Sequence, residues 1–252
     1  MLQPFSRRIF HLPLAIRFWM APFIVILVML LAVVAPASAA SSSTYYFKYF
    51  STSGSISPWY SNDNSWGVNA PNGTGFVSMV TGEDWGTWSP VHTLPKKLSA
   101  IGSGNTTWFS QNAYPASGAG YDATYDIFID PSYAPTNRNS ENEIMIWVGY
   151  RYNKPLSNHY DASGNAVPYA TNVSLGGRSW DVYLYNWSGG GYTMSYLDRA
   201  NSGWWSGSLS PFFNYGISKG WYSSSQYLNS VMAGWEFGHG SYQATSWGVA
   251  GF

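Results

Sequence analysis

The chain has 252 residues, 12 Lys+Arg balanced by 12 Asp+Glu, no cysteine, 45% hydrophobic and 19% aromatic residues. Charged residues are only 10% of the total, against roughly 25% in an average soluble protein. That balance excludes a basic nucleic-acid binder, which needs an excess of Lys and Arg to displace counterions. The lack of cysteine excludes disulfides, Cys-ligated zinc, iron–sulfur clusters and thiol nucleophiles.

In chain order, residues 1–39 come first. Arg7, Arg8 and Arg17, an apolar run from Phe23 to Val34, and the small-residue end Pro36-Ala37-Ser38-Ala39-Ala40 together match a secretory signal peptide. Cleavage is expected after Ala39 or Ala40, giving a secreted, extracellular protein with no membrane attachment. Loss of the three arginines leaves nine cations against twelve acids. Residues 40–252 read as a single domain. Short aromatic or β-branched runs alternate with Gly, Asn, Ser and Pro clusters about every ten residues, the pattern of an all-β sandwich. A period of two along a strand separates its faces. In Tyr125–Asp130 it puts Tyr125, Ile127 and Ile129 on one side and Asp126, Phe128 and Asp130 on the other. In Glu143–Val148 it separates Ile144, Ile146 and Val148 from Glu143, Met145 and Trp147. Ser179–Tyr185 is a further strand. Pro211–Lys219 is the one predicted helix, outside the sandwich, with Ser210-Pro211 at its start and Gly220 at its stop. In Val231–Phe237, Glu236 lies opposite Val231, Ala233, Trp235 and Phe237.

After the leader there are four glutamates, Glu83, Glu141, Glu143 and Glu236. Glu143 and Glu236 both point away from the aliphatic faces of their strands, and both have aromatic company. Lone outward glutamates are ordinary surface residues. A carboxylate beside Met and Trp is better suited to a cleft. Two carboxylates across a cleft are what glycoside hydrolysis needs, one protonated to release the leaving oxygen and one ionised. Trp and Tyr faces would stack on sugar rings. His92, His159 and His239 form no metal-binding spacing, and the sequence has no G-x-S-x-G elbow, G-x-G-x-x-G or P-loop. A non-catalytic, lectin-like carbohydrate-binding sandwich remains open as the alternative; it needs the aromatics but not two converging acids.

Glu143-Ile-Met-Ile-Trp147 resembles the nucleophile strand of glycoside hydrolase family 12, the β-jelly-roll endoglucanases. In the same order along residues 44–252, Asn62-Asp-Asn-Ser-Trp-Gly67, Leu98–Ser103, Tyr125–Pro131, Gly176–Val182, Ala233-Gly-Trp-Glu-Phe237 and Ser246-Trp247 resemble other segments of that family. The resemblance implies a two-sheet β-jelly-roll sandwich, concanavalin-like, with one short helix and a concave substrate cleft. It implies a retaining endo-β-1,4-glucanase, a monomer that needs no metal or organic cofactor. Its partner would be a β-glucan, with cellulose, mixed-linkage glucan and xyloglucan all open. Matched residue by residue, Glu143 is the nucleophile, Glu236 the general acid/base, and Asp126 the partner of the nucleophile. Met145 lies near the cleavage point, Trp66 stacks on sugar with Asn64 beside it, and Trp147 is a further cleft aromatic. Retention implies carboxyl groups roughly 5 to 5.5 Å apart.

Overall fold

The computed structural model describes residues 42–135 and 141–252. The expected leader, residues 1–39, lies outside them. The elements are β1 (Tyr46–Ser53), β2 (Ser57–Asn62), β3 (Ser65–Ala70), β4 (Thr74–Asp84), β5 (Thr87–Trp88), β6 (Lys96–Lys97), β7 (Thr106–Pro115) and β8 (Tyr121–Asp130). They continue with β9 (Asn142–Arg151), β10 (Ala170–Leu175), β11 (Arg178–Asn186), β12 (Tyr192–Asp198), β13 (Trp204–Ser208), α1 (Ser210–Ser218), β14 (Tyr227–Phe237) and β15 (Gly240–Ala250).

The strands form two sheets. The larger runs β1-β4-β14-β8-β9-β12-β11-β10, with β5 attached to β4 and β6 to β14; the smaller runs β13-β7-β15-β3-β2. Pairing is antiparallel except between β9 and β12, which run parallel. The central pair of the large sheet, β14 and β8, joins segments about a hundred residues apart, and Glu236 lies opposite Asp122 in it.

The period-two expectation holds on all three key strands. Tyr125, Ile127 and Ile129, then Ile144, Ile146 and Val148, then Val231, Ala233, Trp235 and Phe237 are all buried in the core between the sheets. Burying side chains of this size is worth about 1.5–3 kcal/mol each, which pins the register, because a one-residue slip would turn every one of them outward. Aromatic rings dominate the core. Trp235 meets Trp66 edge-on at 5.2 Å and Phe109 at 5.5 Å between ring centroids. Two polar contacts tie the sheets together: the Tyr125 hydroxyl donates to the Trp205 carbonyl at 2.7 Å, and Trp235 Nε1 donates to Gln111 Oε1 at 3.2 Å.

The helix forms where expected, from Ser210 to Ser218, with Pro211 in its first turn and Gly220 following at φ 72°. Its position corrects the expectation of a helix outside the sandwich. Phe212 and Phe213 are buried in the main core. The Phe212 ring packs edge-on against Trp180, Tyr196 and Trp205, so α1 helps cover β11 and β12.

Candidate active site

The face of the large sheet turned away from the core carries the titratable side chains. Alternation sends the even-numbered residues of β8, those of β14 from Ser230 to Glu236, and the odd-numbered residues from Glu143 to Trp147 on β9 to this open face; a register shift between Leu228 and Ser230 leaves Leu228 in the core. One row across it reads Phe50, Phe76, Glu236, Asp122 and Tyr150. Another reads Ser230, Phe128, Glu143, Thr193 and Tyr185. Glu143 and Glu236 therefore share a face, two strands apart, on a diagonal across β8. Asp126, opposite both Met145 and Met232, lies between them. Four acids, Glu143, Asp126, Asp122 and Glu236, thus form one track, flanked by two apolar patches. One patch is Phe76, Val80, Phe128 and Met232 with Tyr46 and Phe50; the other is Met145, Trp147 and Leu197 with Tyr150 and Tyr183.

Glycine is required beside Glu236. A Cβ at Gly234 would sit 1.9 Å from the Val77 carbonyl oxygen and 2.7 Å from Ser78 Cα. The close approach of β14 to β4 beside Glu236 therefore depends on a missing side chain.

The two glutamates have different surroundings. Burial leaves the pKa of Glu143 raised overall, with hydrogen bonds from Thr193 and Asp126 and the charge of Lys48 offsetting part of the rise. The Thr193 hydroxyl donates to Glu143 Oε2 at 2.7 Å and in turn accepts Trp187 Nε1 at 2.9 Å. Lys48 is held on β1 by Asp84 at 2.7 Å. Glu236 is pushed up to about 7, first by burial and then by the negative charge of Glu143. Asp126 is raised well above the usual carboxylate range by burial and by the charges of Glu143 and Glu236. It is therefore a proton carrier able to donate to ionised Glu143. Such an arrangement can hold one acid ionised and its neighbour protonated at the same pH.

Asp122 was not singled out in the sequence. It is 0% exposed, and burial and the charge of Glu236 raise its pKa well above the usual range. Asn153, just beyond β9, donates through Nδ2 to Asp122 Oδ2 at 2.7 Å and to the Glu236 carbonyl at 3.5 Å. The sequence signal was present: Asp122 is four residues before Asp126, on the same face of the same strand. Thr193, Trp187 and Lys48 were also missed; they reach the site only through long-range strand pairing.

Of the expected sugar contacts, Met145 and Trp147 lie on the open face, 7% and 2% exposed, as packed floor, with the Trp147 ring 6.0 Å from Tyr150. Trp66 is corrected. Trp66 is 0% exposed in the core, where it packs against Phe47, Phe109 and Trp235. It belongs to the smaller sheet and has no face to offer a sugar. Asn64 is exposed at the β2–β3 turn, and its Oδ1 accepts the Trp247 backbone N–H at 3.1 Å. That turn joins two strands of the smaller sheet. Among the described residues, no group of three or more His, Asp or Glu side chains is arranged to hold a metal ion. A cavity of about 510 Å³, lined by Arg178, Asp198 and Trp204 among others, contains none of the four acids.

A family model for glycosyl hydrolase family 12 matches residues 55–252. The chain is 31% identical over 179 residues to the xyloglucan-specific endo-beta-1,4-glucanase A of Emericella nidulans, covering 68% of this chain and 70% of that protein. It is 29% identical over 142 residues to a probable xyloglucan-specific endo-beta-1,4-glucanase A of Aspergillus clavatus, covering 56% of this chain and 55% of that protein. The chain thus spans about half the length of several of the curated relatives it matches. A family 12 xyloglucanase from Bacillus licheniformis, solved in complex with ligand, superposes with a TM-score of 0.62 at 26% identity, covering 77% of this chain and 84% of that one. With a family match over most of its length and the two-sheet fold behind it, the chain belongs to glycosyl hydrolase family 12.

Proposed function

We propose that this chain is a retaining endo-β-1,4-glucanase acting on a β-1,4-glucan, with xyloglucan ahead of cellulose as substrate. The observation that carries the chemistry is the electrostatic pairing of Glu143 and Glu236 on one face. The charge on Glu143 helps keep Glu236 protonated up to about 7. Ionised Glu143 attacks the anomeric carbon, forming a glycosyl-enzyme ester. Glu236 gives its proton to the departing glycosidic oxygen, and the C–O bond breaks. Glu236, now a base, takes a proton from water, the water attacks the anomeric carbon, the bond from that carbon to Glu143 breaks, and Glu143 leaves as carboxylate. Asp126 hydrogen-bonds Glu143 throughout and favours its ionised form.

The preference for xyloglucan rests on the relatives, which carry that name. The open face also suits a hydroxyl-rich chain with apolar ring faces. Buried polar atoms at Trp147 Nε1, Ser195 Oγ and Ser230 Oγ have no protein partner among the described residues, and they belong to or adjoin the two apolar patches. Such atoms gain about 1–3 kcal/mol each from a partner that satisfies them. The proposal includes export, with residues 1–39 as the cleaved leader, and a monomeric enzyme.

The test is a substrate panel of xyloglucan, barley β-glucan, carboxymethylcellulose and xylan, with product anomers followed by NMR. The expected result is β-anomer formed first and the highest rate on xyloglucan. Release of α-anomer would refute the double displacement. Binding to glucans without any release of reducing ends would favour the lectin-like alternative.

A further inference from the structure

We infer that Trp187 and Thr193 form a two-step hydrogen-bond relay that orients the Glu143 carboxylate and keeps it ionised, so that Thr193 is a positioning residue for the nucleophile. This rests on the reading of Glu143 as the attacking group.

The geometry gives the relay a direction. A hydroxyl has one proton to donate and lone pairs to accept with. Trp187 Nε1 can only donate, and it donates to Thr193 Oγ1 at 2.9 Å. The Thr193 proton is then directed at Glu143 Oε2, 2.7 Å away, a length typical of a bond to a charged acceptor. Only the ionised carboxylate accepts from both Thr193 and Asp126.

Both ends of the relay are anchored. Thr193 is directly opposite Glu143 in the parallel β9–β12 pair, the only parallel pairing among the described strands. Asn142 Oδ1, next to Glu143, accepts the Tyr192 backbone N–H, next to Thr193, at 3.1 Å and fastens the same register a second time. Trp187 stands at the β11–β12 turn. Its backbone N–H donates to the Gly191 carbonyl and its carbonyl accepts the Gly190 N–H. The Tyr185 ring meets the Trp187 indole edge-on with centroids 4.9 Å apart. The turn Trp187–Gly191 therefore holds the indole N–H over the end of β12.

The other groups facing Glu143 come from three other strands: Asp126 from β8, Lys48 from β1 and Glu236 from β14. Asp122 on β8 also feels its charge. β12 contributes the Thr193 hydroxyl alone. Removing that hydroxyl therefore takes away one identifiable donor and leaves the other groups in place.

The experiment reads Glu143 directly and needs no turnover. The whole chain contains four glutamates, so protein labelled with carboxyl-¹³C glutamate gives four side-chain signals, and the loss of one in Glu143→Gln assigns Glu143. Thr193→Val keeps the shape of the side chain and removes the hydroxyl; it should raise the Glu143 titration midpoint by about one pH unit. Trp187→Phe should raise it by roughly half as much, because the hydroxyl loses its orienting donor but remains. Thr193→Ser should restore the wild-type midpoint. In activity assays on the best substrate of the panel, Thr193→Val should lower kcat about 10- to 100-fold with KM nearly unchanged, and the acid limb of the pH profile should move up with the midpoint. An unchanged Glu143 midpoint in Thr193→Val overturns the relay. If the valine variant does not fold, a Trp187→Phe midpoint equal to wild type overturns it too. A shifted midpoint in a protein that hydrolyses none of the panel would sink the proposed function and leave the relay standing.

Discussion

Glu143 and Glu236 are the same residue type on the same face of the same sheet, and burial raises both, yet only Glu143 has neighbours that offset the rise. Around Glu143 are donors and a cation: the Thr193 hydroxyl, the Asp126 carboxyl and Lys48. Around Glu236 only burial and the charge of Glu143 act on the side chain, and both favour its protonated form. Glu236 touches Asn153 only through its backbone carbonyl. The sheet assigns the roles of nucleophile and acid by what it places next to each carboxyl group. The contrast is also reciprocal, since the proton on Glu236 depends on the charge on Glu143.

Removing each carboxylate in turn probes the contrast most strongly. Glu143→Gln should lower kcat/KM by about 10⁴-fold or more on every substrate, because no other group can form the ester. Glu236→Gln should cost about 10²- to 10⁴-fold on polysaccharide. It should cost far less in the first step with an aryl glycoside whose leaving group needs no proton, as read by burst kinetics. Equal losses on both substrates for both variants would erase the distinction between the two sites.

A smaller effect comes from removing one donor. Asp126→Ala should reduce kcat about 10- to 100-fold and move the acid limb of the pH–rate profile to higher pH, because the hydrogen bond that favours ionised Glu143 is lost. An acid limb that stays in place would show that Asp126 does not act on Glu143.

The raised pKa of Glu236 also has a consequence for stability. The folded state holds this proton up to about 7, against 4.5 for the free side chain. The unfolded chain therefore releases its proton at lower pH than the folded chain does. The contribution of Glu236 to stability is thus most favourable below about 4.5, and it is lost as pH rises from there through 7. Glu236→Gln should accordingly melt at the same temperature as wild type at pH 4 and about 10 °C higher at pH 8. A variant less stable than wild type at pH 8 would contradict the assigned direction.

The smallest change is expected at Asp122. Since it holds its proton well above the usual range, Asp122→Asn replaces one neutral hydrogen-bonding group with another. Below pH 6 the rate should change less than about fivefold, with any loss confined to the alkaline side of the profile. A large loss at pH 5 would mean that Asp122 works as an anion beside Glu236.

Much of this arrangement was legible from alternation alone. The aliphatic sides of β8, β9 and β14 put Asp126, Glu143 and Glu236 on a common outward side before any pairing was known, and the three strands do lie side by side. The misplaced residue is instructive in the same terms. Trp66 shares its side of β3 with Val68 and Ala70, both buried, so the period-two pattern already put it among core residues. The resemblance of Asn62–Gly67 to a cleft motif overrode that pattern. Asp122 was likewise readable, four residues from Asp126. Thr193 and Trp187 were not. Their contact with Glu143 depends on β12 joining β9 in parallel, about fifty residues away along the chain, and no local pattern encodes which strand becomes a neighbour. The helix was found from its cap and proline, but its burial was hidden, because Phe212 and Phe213 meet Trp180 and Trp205 only once β11 and β13 are in place.

The central claim, that Glu143 forms the covalent bond while Glu236 supplies the proton, can be tested by trapping the intermediate. A 2-deoxy-2-fluoro gluco-oligosaccharide with a good leaving group slows breakdown of the glycosyl-enzyme more than its formation. Mass spectrometry of the digested protein should then find one sugar adduct per chain, on the peptide containing Glu143, with Glu236 unmodified. An adduct on any other residue, or turnover of the reagent to α-anomer without labelling, would contradict the account.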